Sequence, residues 1–235
     1  MDVSGKVVLV TGASAGIGKL TAELFHSKGA KVALAARSAD KLKEIAGSMK
    51  DSFAIQVDMS RRDDVRRMVQ ETFDHYGRID CLINNAARGM YTPVEHIDVD
   101  DLAYLMSLNV YGPLIAMQAV IPIMRKQGGG VIVNVSSQVS RNVYPNIGPY
   151  SSTKCALNQL SLTARKELEA DGIAVSIVYP KLTATDFRKN AVPTKAFASR
   201  PQGQGQGQMP AIDPPEKVAA VILHVVETGA AEAML

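Results

Sequence analysis

The chain has 235 residues, of which 46% are hydrophobic and 21% are charged, and its formal net charge is +3. Such a composition is typical of a globular protein with a sizeable core, and the length allows one large domain or two small ones. The small net charge, without a long basic run, argues against a nucleic-acid-binding protein. The cysteines Cys81 and Cys155 and the scattered histidines lack metal-ligand spacing, so we expect no metal site and two thiols packed as small apolar groups.

The sequence also argues against a membrane protein. Asp2 stands at the N-terminus and a strand follows directly, which is unlike a signal peptide. The longest apolar stretch, residues 111–124, is too short to span a membrane and contains Pro113 and Pro122, so we interpret it as a buried helix. Unpaired cysteines favour a reducing compartment, and we therefore predict a cytoplasmic protein without membrane partners.

Apolar, strand-like runs alternate with helical patterns along the chain. Continuous apolar strands separated by helices predict a parallel sheet that is covered on both faces. Right-handed crossovers then give a doubly wound, Rossmann-like α/β sheet in three layers, and we predict a single domain over residues 1–235. The predicted strands are 6–10, 31–36, 53–57, 81–84, 131–135 and 174–179, and the predicted helices are 16–28, 40–49, 61–76, 99–126 and 149–170.

The alternating pattern ends after Phe187. Residues 188–215 contain five prolines and an alternation of glutamine and glycine from 202 to 208. This composition predicts a flexible loop at about 186–215, which is either a lid over a substrate site or an insertion without function. A helix at 215–227 and a short run at 232–235 follow, and that run is either an edge strand or the sign of a C-terminus that stops short.

A glycine-rich loop follows the first strand. Gly12, Gly16 and Gly18 stand between a strand and a helix, with Ser14 and Ile17 between them. Glycines at such a place let the backbone approach a pyrophosphate at a helix N-terminus. Their spacing differs from the commoner G-x-G-x-x-G pattern, so the loop indicates a dinucleotide site and leaves a purely structural turn as the alternative.

The end of the second predicted strand indicates which dinucleotide is bound. An acidic residue about 20 positions after the glycine loop would bind the ribose 2′-hydroxyl of NAD. Arg37 and Ser38 stand there instead. Because a guanidinium matches phosphate geometry, we predict NADP(H) over NAD(H), with an ordinary surface arginine as the alternative.

Tyr150 and Lys154 are the strongest candidates for chemistry. They are four residues apart, so a helix places both on one face. An ammonium beside a phenol favours the phenolate, and a phenol tuned in this way can exchange a proton with a carbonyl oxygen near neutral pH. Ser137 follows the fifth predicted strand, at the edge of the sheet where open α/β sheets bind ligands.

In combination, these motifs resemble the short-chain dehydrogenase/reductase family in its single-domain form. The 13-residue interval from Ser137 to Tyr150, with Lys154 four residues later, is the most specific feature, and the resemblance covers about residues 4–187. It implies that Asn109, Ser137, Tyr150 and Lys154 are catalytic. It also implies cofactor contacts from Gly12, Ser14, Gly16, Ile17, Gly18, Arg37, Ser38, Asp58, Asn85, Ala86, Tyr150, Lys154, Pro180 and Thr185.

The activity that this resemblance implies is hydride transfer between NADP(H) and a small carbonyl/alcohol substrate. Tyr150 would exchange the proton, Ser137 would steady the oxygen, Lys154 would tune Tyr150, and Asn109 would kink its helix and hold a relaying water. The family also implies a homodimer or homotetramer through the helices near 99–126 and 149–170. The alternatives are a protein that binds NADP(H) without turnover and an isomerase or dehydratase on the same scaffold.

The chain departs from the family pattern at three positions. Ala87 replaces the usual glycine after Asn85-Ala86, Lys181 replaces the usual glycine after Pro180, and Ala15 replaces the basic residue common in NADP-dependent members. Lysine tolerates poorly some backbone conformations open to glycine, so we expect an altered path after Pro180. Near the strand ends, Arg88 or Arg141 could bind an acidic substrate, or could be solvated surface arginines.

Overall fold

A computed structural model describes residues 1–194 and 212–235. Its centre is a parallel sheet of seven strands in the order β3-β2-β1-β4-β5-β6-β7, with helices on both faces. This confirms the predicted doubly wound, Rossmann-like α/β sheet in three layers. The strands are β1 (Val7–Thr11), β2 (Lys31–Ala36), β3 (Phe53–Gln56), β4 (Cys81–Asn84), β5 (Gly130–Val135), β6 (Ile173–Tyr179) and β7 (Glu232–Met234).

The helices lie close to the predicted segments. The last strand, β7, pairs in parallel with β6, so the C-terminal run is an edge strand. A turn of π-helix over Ser107–Tyr111 joins two helices into one continuous segment. The helices are α1 (Gly16–Ser27), α2 (Ala39–Gly47), α3 (Arg62–Tyr76), α4 (Val99–Met106), α5 (Gly112–Gln127), α6 (Gly148–Glu167) and α7 (Pro215–Thr228).

Two hydrophobic clusters hold the helices to the sheet. Successive side chains of a strand point to opposite faces, so Val8 and Val10 belong to one cluster and Leu9 to the other. The first cluster contains apolar residues of α1, α2 and α7, and the second contains those of α3 and α5. Because both faces are covered, every residue of β1 is buried, which explains its unbroken apolar sequence.

The helical segment Val99–Gln127 corrects one expectation. It has 29 residues and is long and apolar enough to span a membrane by length and composition, whereas the sequence predicted a stretch too short to do so. Half of its most apolar window is buried inside the protein, where Ile115, Val120 and Met124 join the second hydrophobic cluster. It is therefore a helix of the core, as the sequence predicted.

The expectation for the cysteines is met only in part, and the flexibility expected for the late loop stays a prediction. Cys81 is buried, as expected, but Cys155 is exposed on the outer side of α6, so the prediction of packing is wrong for that thiol. Within the predicted loop 186–215, the structure describes 186–194 and 212–215. The run of glutamine and glycine at 202–208 lies outside the described residues.

Candidate functional site

The candidate site lies where the strand order reverses, between β1 and β4. From this point β2 and β3 lie on one side and β5, β6 and β7 on the other. The glycine loop follows β1, Asn85 follows β4, and Ser137 comes shortly after β5. The carboxyl ends of parallel strands meet at one edge of the sheet, and such reversal points are where open α/β sheets bind ligands.

Close backbone packing explains the glycines of the loop. Gly12 has a φ of +70°, and a Cβ on Gly18 would lie 2.3 Å from the Gly12 carbonyl oxygen and 2.5 Å from Nδ2 of Asn85. A Cβ on Gly16 would lie 3.1 Å from Cγ2 of Thr185. Each position therefore favours glycine for its own steric reason. The loop over residues 12–18, which we call the glycine cradle, leaves room for the close backbone approach that a pyrophosphate requires.

Hydrogen bonds tie the glycine loop to the segment after β4. Oγ1 of Thr11 accepts from the N–H groups of Asn85 at 3.0 Å and Ala86 at 3.1 Å. Nδ2 of Asn85 donates to the Thr11 carbonyl at 2.9 Å. Asn85 and Ala86 thus lie beside the loop as predicted, and Thr11 supplies a rigid link that the sequence did not assign.

The N-terminus of α1 has the polarity that suits an anion. The helix begins at Gly16, and its first turn contains no acidic residue and receives no side-chain cap from Ala15. Its first backbone N–H groups and the helix dipole therefore favour a negative group. Ser14 lies half-buried in this loop, while Ile17 packs on the first hydrophobic cluster, so the structure gives Ile17 a packing role as well.

Three further candidate residues follow the strands on the other side of β1. Two of them come directly after β2, and the carboxylate of Asp58 comes shortly after β3. Arg37 and Ser38 are both exposed between β2 and α2. The carboxylate of Asp58 accepts from the N–H of Ser60 at 2.9 Å and from its hydroxyl at 2.7 Å, which holds Asp58 in one orientation. A solvent-facing guanidinium at this edge is suited to contact a phosphate.

The structure brings Tyr150 and Ser137 together. Pro149 lies in the first turn of α6, where a missing N–H costs nothing, and Tyr150 follows it with only 6% of its surface exposed. Burial raises the pKa of Tyr150 above its ordinary value, and the nearby phenol of Tyr91 adds to this, while a hydrogen bond with Ser137 lowers it. The phenol is therefore neutral at physiological pH.

Lys154 lies one turn further along α6 and is only 2% exposed. Its Nζ donates to the Val135 carbonyl at 2.7 Å and lies 5.8 Å from the centroid of the Tyr150 ring. Burial lowers the pKa of Lys154 to about 7. The expected lowering of the Tyr150 pKa by Lys154 is therefore not seen in this structure, where burial is the largest influence on both groups.

Asn109 lies in the π-helical turn and is fully buried, so the predicted interruption of this helix is present. Its Nδ2 donates to Oγ1 of Thr153 at 3.1 Å and to the Arg88 carbonyl at 2.9 Å, and its Oδ1 accepts from the Arg88 N–H at 3.0 Å. Thr153 in turn donates to the Tyr150 carbonyl at 2.7 Å. Thr153 was missed, although its position three residues after Tyr150 puts it on the same helix face.

The segment after β6 completes the surroundings of Tyr150. The Pro180 carbonyl accepts from the Gln138 N–H at 3.0 Å, which joins this segment to the turn after Ser137. Among the described residues other than glycine, positive φ is confined to Asp51 and Asn146, so Lys181 replaces glycine without backbone strain. The altered path expected after Pro180 stays a prediction.

Both arginines near the strand ends make polar contacts within the protein. The Arg88 guanidinium donates to the carbonyls of Asn190 at 2.7 Å and Ala191 at 2.9 Å. The Arg141 guanidinium pairs with Glu232 and donates to the Tyr179 hydroxyl at 3.2 Å. Arg88 is thus engaged within the protein, whereas Arg141 is an exposed surface arginine that is ion-paired with Glu232, close to the alternative interpretation.

Comparison with known proteins agrees with this geometry. The profile of the family described as short chain dehydrogenase matches residues 6–196. An uncharacterized oxidoreductase of Thermotoga maritima is 37% identical over 190 residues, which are 79% of this chain and 75% of that protein. A short-chain dehydrogenase from Streptomyces avermitilis matches with a TM-score of 0.88 and 32% identity, over 100% of this chain and 89% of that chain.

A second solved structure is similar to this chain over almost the entire length of both proteins. It is a 3-ketoacyl-(acyl-carrier-protein) reductase from Brucella melitensis, complexed with NADH, with a TM-score of 0.87 and 25% identity over 99% of this chain and 97% of that chain. The sequence match, the shared sheet and the glycine cradle agree with one another. The chain therefore belongs to the short-chain dehydrogenase family and is an oxidoreductase with an NAD(P)-binding fold.

Proposed function

We propose that the protein is an NADP(H)-dependent oxidoreductase that interconverts a small carbonyl compound and its alcohol. The observation that carries the proposal is that the buried Tyr150 has Nζ of Lys154 5.8 Å from its ring centroid, at the edge of the sheet that also holds the glycine cradle. NADP(H), when bound, supplies or accepts the hydride. The chain itself binds the dinucleotide, orients the substrate and moves the proton.

In the direction of reduction, the neutral phenol of Tyr150 donates its proton to the carbonyl oxygen. The Ser137 hydroxyl donates a hydrogen bond to the same oxygen and stabilises the negative charge that develops there. Lys154 binds the cofactor ribose, and its charge stabilises the phenolate left on Tyr150. Asn109 acts through Thr153, which holds the backbone of α6 at Tyr150.

The cofactor contacts belong to the same proposal. The glycine loop and the N-terminus of α1 bind the pyrophosphate, and Asp58, Asn85, Ala86, Pro180 and Thr185 line the remainder of the dinucleotide. Arg37 and Ser38 bind the 2′-phosphate, which makes NADP(H) the preferred cofactor. The Brucella reductase was solved with NADH, so the preference for NADP(H) rests on Arg37.

The test is consumption of NADPH, followed by absorbance, with a panel of aldehydes, ketones, quinones and 3-oxo esters, repeated with NADH. We expect turnover that prefers NADPH and that falls about 10²–10⁴-fold in Tyr150→Phe, since that variant lacks the proton donor. Tyr76→Phe, which removes a phenol at the end of α3 that donates to the carbonyls of Val32 and Asp51, is the matched control. Near wild-type turnover in Tyr150→Phe would show that another group supplies the proton.

The packing of Phe187 over Tyr150 favours one second candidate, a protein that binds NADP(H) without turnover. The two ring centroids are 5.3 Å apart, and Tyr150 is almost fully covered. Saturable NADPH binding by calorimetry, together with no turnover across the whole panel, would favour this candidate over the oxidoreductase. The isomerase or dehydratase alternative has no specific observation in its favour.

The remaining proposals concern the whole molecule. We infer a cytoplasmic protein with one domain, which assembles as a homodimer or homotetramer through the helical segment Val99–Gln127 and α6. Half of the most apolar window of that segment is not buried within one chain, and this supports a role in assembly. Light scattering at micromolar concentration measures the assembly directly.

A further inference from the structure

Two segments that are distant in sequence run side by side next to Tyr150. Met90 and Val192 form a parallel β-bridge, in which the Val192 N–H donates to the Gly89 carbonyl at 2.8 Å. Oγ1 of Thr194 donates to the Tyr91 carbonyl at 3.0 Å. The segment 187–194 is therefore attached along 88–91, the stretch that follows β4.

Arg88 provides the strongest of these attachments. Its Nε and Nη2 donate to two successive carbonyls, those of Asn190 and Ala191, and its Nη1 lies 3.4 Å from the Tyr104 hydroxyl. Hydrogen bonds from an ionised donor are roughly twice as strong as neutral ones. The planar guanidinium can reach both carbonyls at once, whereas the ammonium of a lysine acts as a single point charge.

The backbone of Arg88 is itself fixed by a residue of the proposed catalytic set. Asn109 accepts from the Arg88 N–H and donates to the Arg88 carbonyl, so both backbone polar groups of Arg88 are held by one side chain. Asn109 also donates to Thr153 on α6. A continuous series of hydrogen bonds therefore connects the segment 187–194, through Arg88 and Asn109, to the helix that carries Tyr150.

The attached segment shields the phenol from water. Phe187 lies at its start, with its ring 5.3 Å from the Tyr150 ring, and Val192 belongs to the same apolar cluster as Tyr150. Removing water strengthens the electrostatic interactions at a reacting centre. Because the Arg88 guanidinium makes both carbonyl contacts, its loss would remove two of the bonds that hold this cover in place.

We propose that Arg88 is a positioning residue, which fastens the segment 187–194 over Tyr150 in the closed, reactive arrangement of the site. The proposal rests on the proposed oxidoreductase function for its kinetic consequences. Arg88 does not contact the reacting atoms. It acts by holding Phe187 and Val192 around the substrate. Its backbone hydrogen bonds with Asn109 fix the position of this segment relative to α6.

The kinetic test compares Arg88→Met and Arg88→Lys with the wild type. We expect Arg88→Met to raise the KM for the carbonyl substrate at least tenfold and to lower kcat, with the Kd for NADPH within twofold, because the glycine cradle is untouched. The KM and kcat of Arg88→Lys should lie between those of the wild type and those of Arg88→Met. Arg66→Met, an exposed arginine on α3 that pairs with Asp63, is the matched control and should behave as the wild type.

Chemical rescue separates positioning from a general loss of structure. We expect free guanidinium, far below denaturing concentrations, to restore part of the lost kcat/KM in Arg88→Ala, because it can occupy the space of the missing side chain. Arg66→Ala should show no such response. Failure of rescue in a variant that is folded by circular dichroism would overturn the proposal, as would a KM in Arg88→Met that is unchanged or lowered.

Hydrogen exchange tests the attachment without turnover. In Arg88→Met, amides of the peptide covering 187–194 should exchange at least tenfold faster, while those of β1 and α3 keep their rates. Unchanged protection of 187–194 would contradict the proposal even if no carbonyl substrate is found. Faster exchange in a protein without any turnover would instead retain the attachment and overturn the oxidoreductase function.

Discussion

Burial sets the protonation of the two titratable side chains at the site. It raises the pKa of the Tyr150 phenol and lowers the pKa of the Lys154 ammonium to about 7, because a charged group loses hydration inside the protein. A neutral phenol is the form that can donate a proton to a carbonyl oxygen. Because the pKa of Lys154 is about 7, a negative group placed beside it would raise that pKa and favour the charged ammonium.

The depressed pKa of Lys154 predicts a pH-dependent stability. Between about pH 7 and the ordinary value of 10.5, the unfolded chain binds a proton that the folded protein does not. Stability should therefore rise with pH across this window, by about 1.4 kcal/mol for each unit by which the two pKa values differ. Lys154→Met should lack this rise.

Urea unfolding at pH 7, 8 and 9 measures the effect as the difference between the wild type and Lys154→Met. The exposed Lys126→Met serves as the control and should follow the wild-type profile. Parallel profiles for the wild type and Lys154→Met would show that burial of this ammonium has no energetic consequence.

At the scale of elements, the site depends on how closely neighbouring segments approach. The glycine loop packs against the segment after β4, so there is no room for a side chain at Gly18. The π-helical turn between α4 and α5 brings Asn109 into contact with both Arg88 and Thr153. Such contacts join elements that are far apart in sequence. The contact at Gly18 leaves no space for a side chain, and the contacts at Asn109 require both a donor and an acceptor.

Gly18→Ala is predicted to damage the cradle. The added methyl would overlap the Gly12 carbonyl, and forcing extra volume into a packed site typically costs about 1–3 kcal/mol of stability. We expect weaker NADPH binding by calorimetry and a lower midpoint of urea unfolding. Gly47→Ala, where the new Cβ would meet open space, is the control and should leave NADPH binding unchanged. Unaltered binding in Gly18→Ala would mean that the loop is a structural turn only.

At the scale of the whole molecule, one helical segment keeps an apolar surface outside the core. The continuous helical segment Val99–Gln127 presents one side to the core and leaves half of its most apolar window unburied. Tyr111 lies in this segment and is 43% exposed. A large apolar surface on one helix is typical of an interface between protein chains.

Assembly through this surface predicts a charge-sensitive oligomer. Light scattering at micromolar concentration should give a dimer or a tetramer for the wild type, and Tyr111→Glu should shift it towards a smaller species, because a carboxylate would be desolvated at the interface. Lys43→Glu, on the exposed side of α2, should retain the wild-type mass. A monomeric wild type would contradict the proposed assembly.

Periodicity and spacing were sufficient to predict much of this protein. Alternating apolar runs and helical patterns determine a parallel, doubly wound sheet, since each is a local property of the chain. The glycine loop follows from a strand, a turn and a helix in that order, and the spacing of Tyr150 and Lys154 puts both on one helix face, whereas their catalytic role was implied only by the family resemblance. The segment 111–124 was correctly assigned to a buried helix, although its helix proved longer.

Only the tertiary structure decides how those residues are partnered. Lys154 donates to the Val135 carbonyl, Arg88 binds the carbonyls of Asn190 and Ala191, and Cys155 faces outward. None of these features follows from local spacing, since each depends on which distant segments pack together. Burial also raises the pKa of Tyr150, where the sequence led us to expect a lowered one, because the loss of hydration depends on the packing around the side chain.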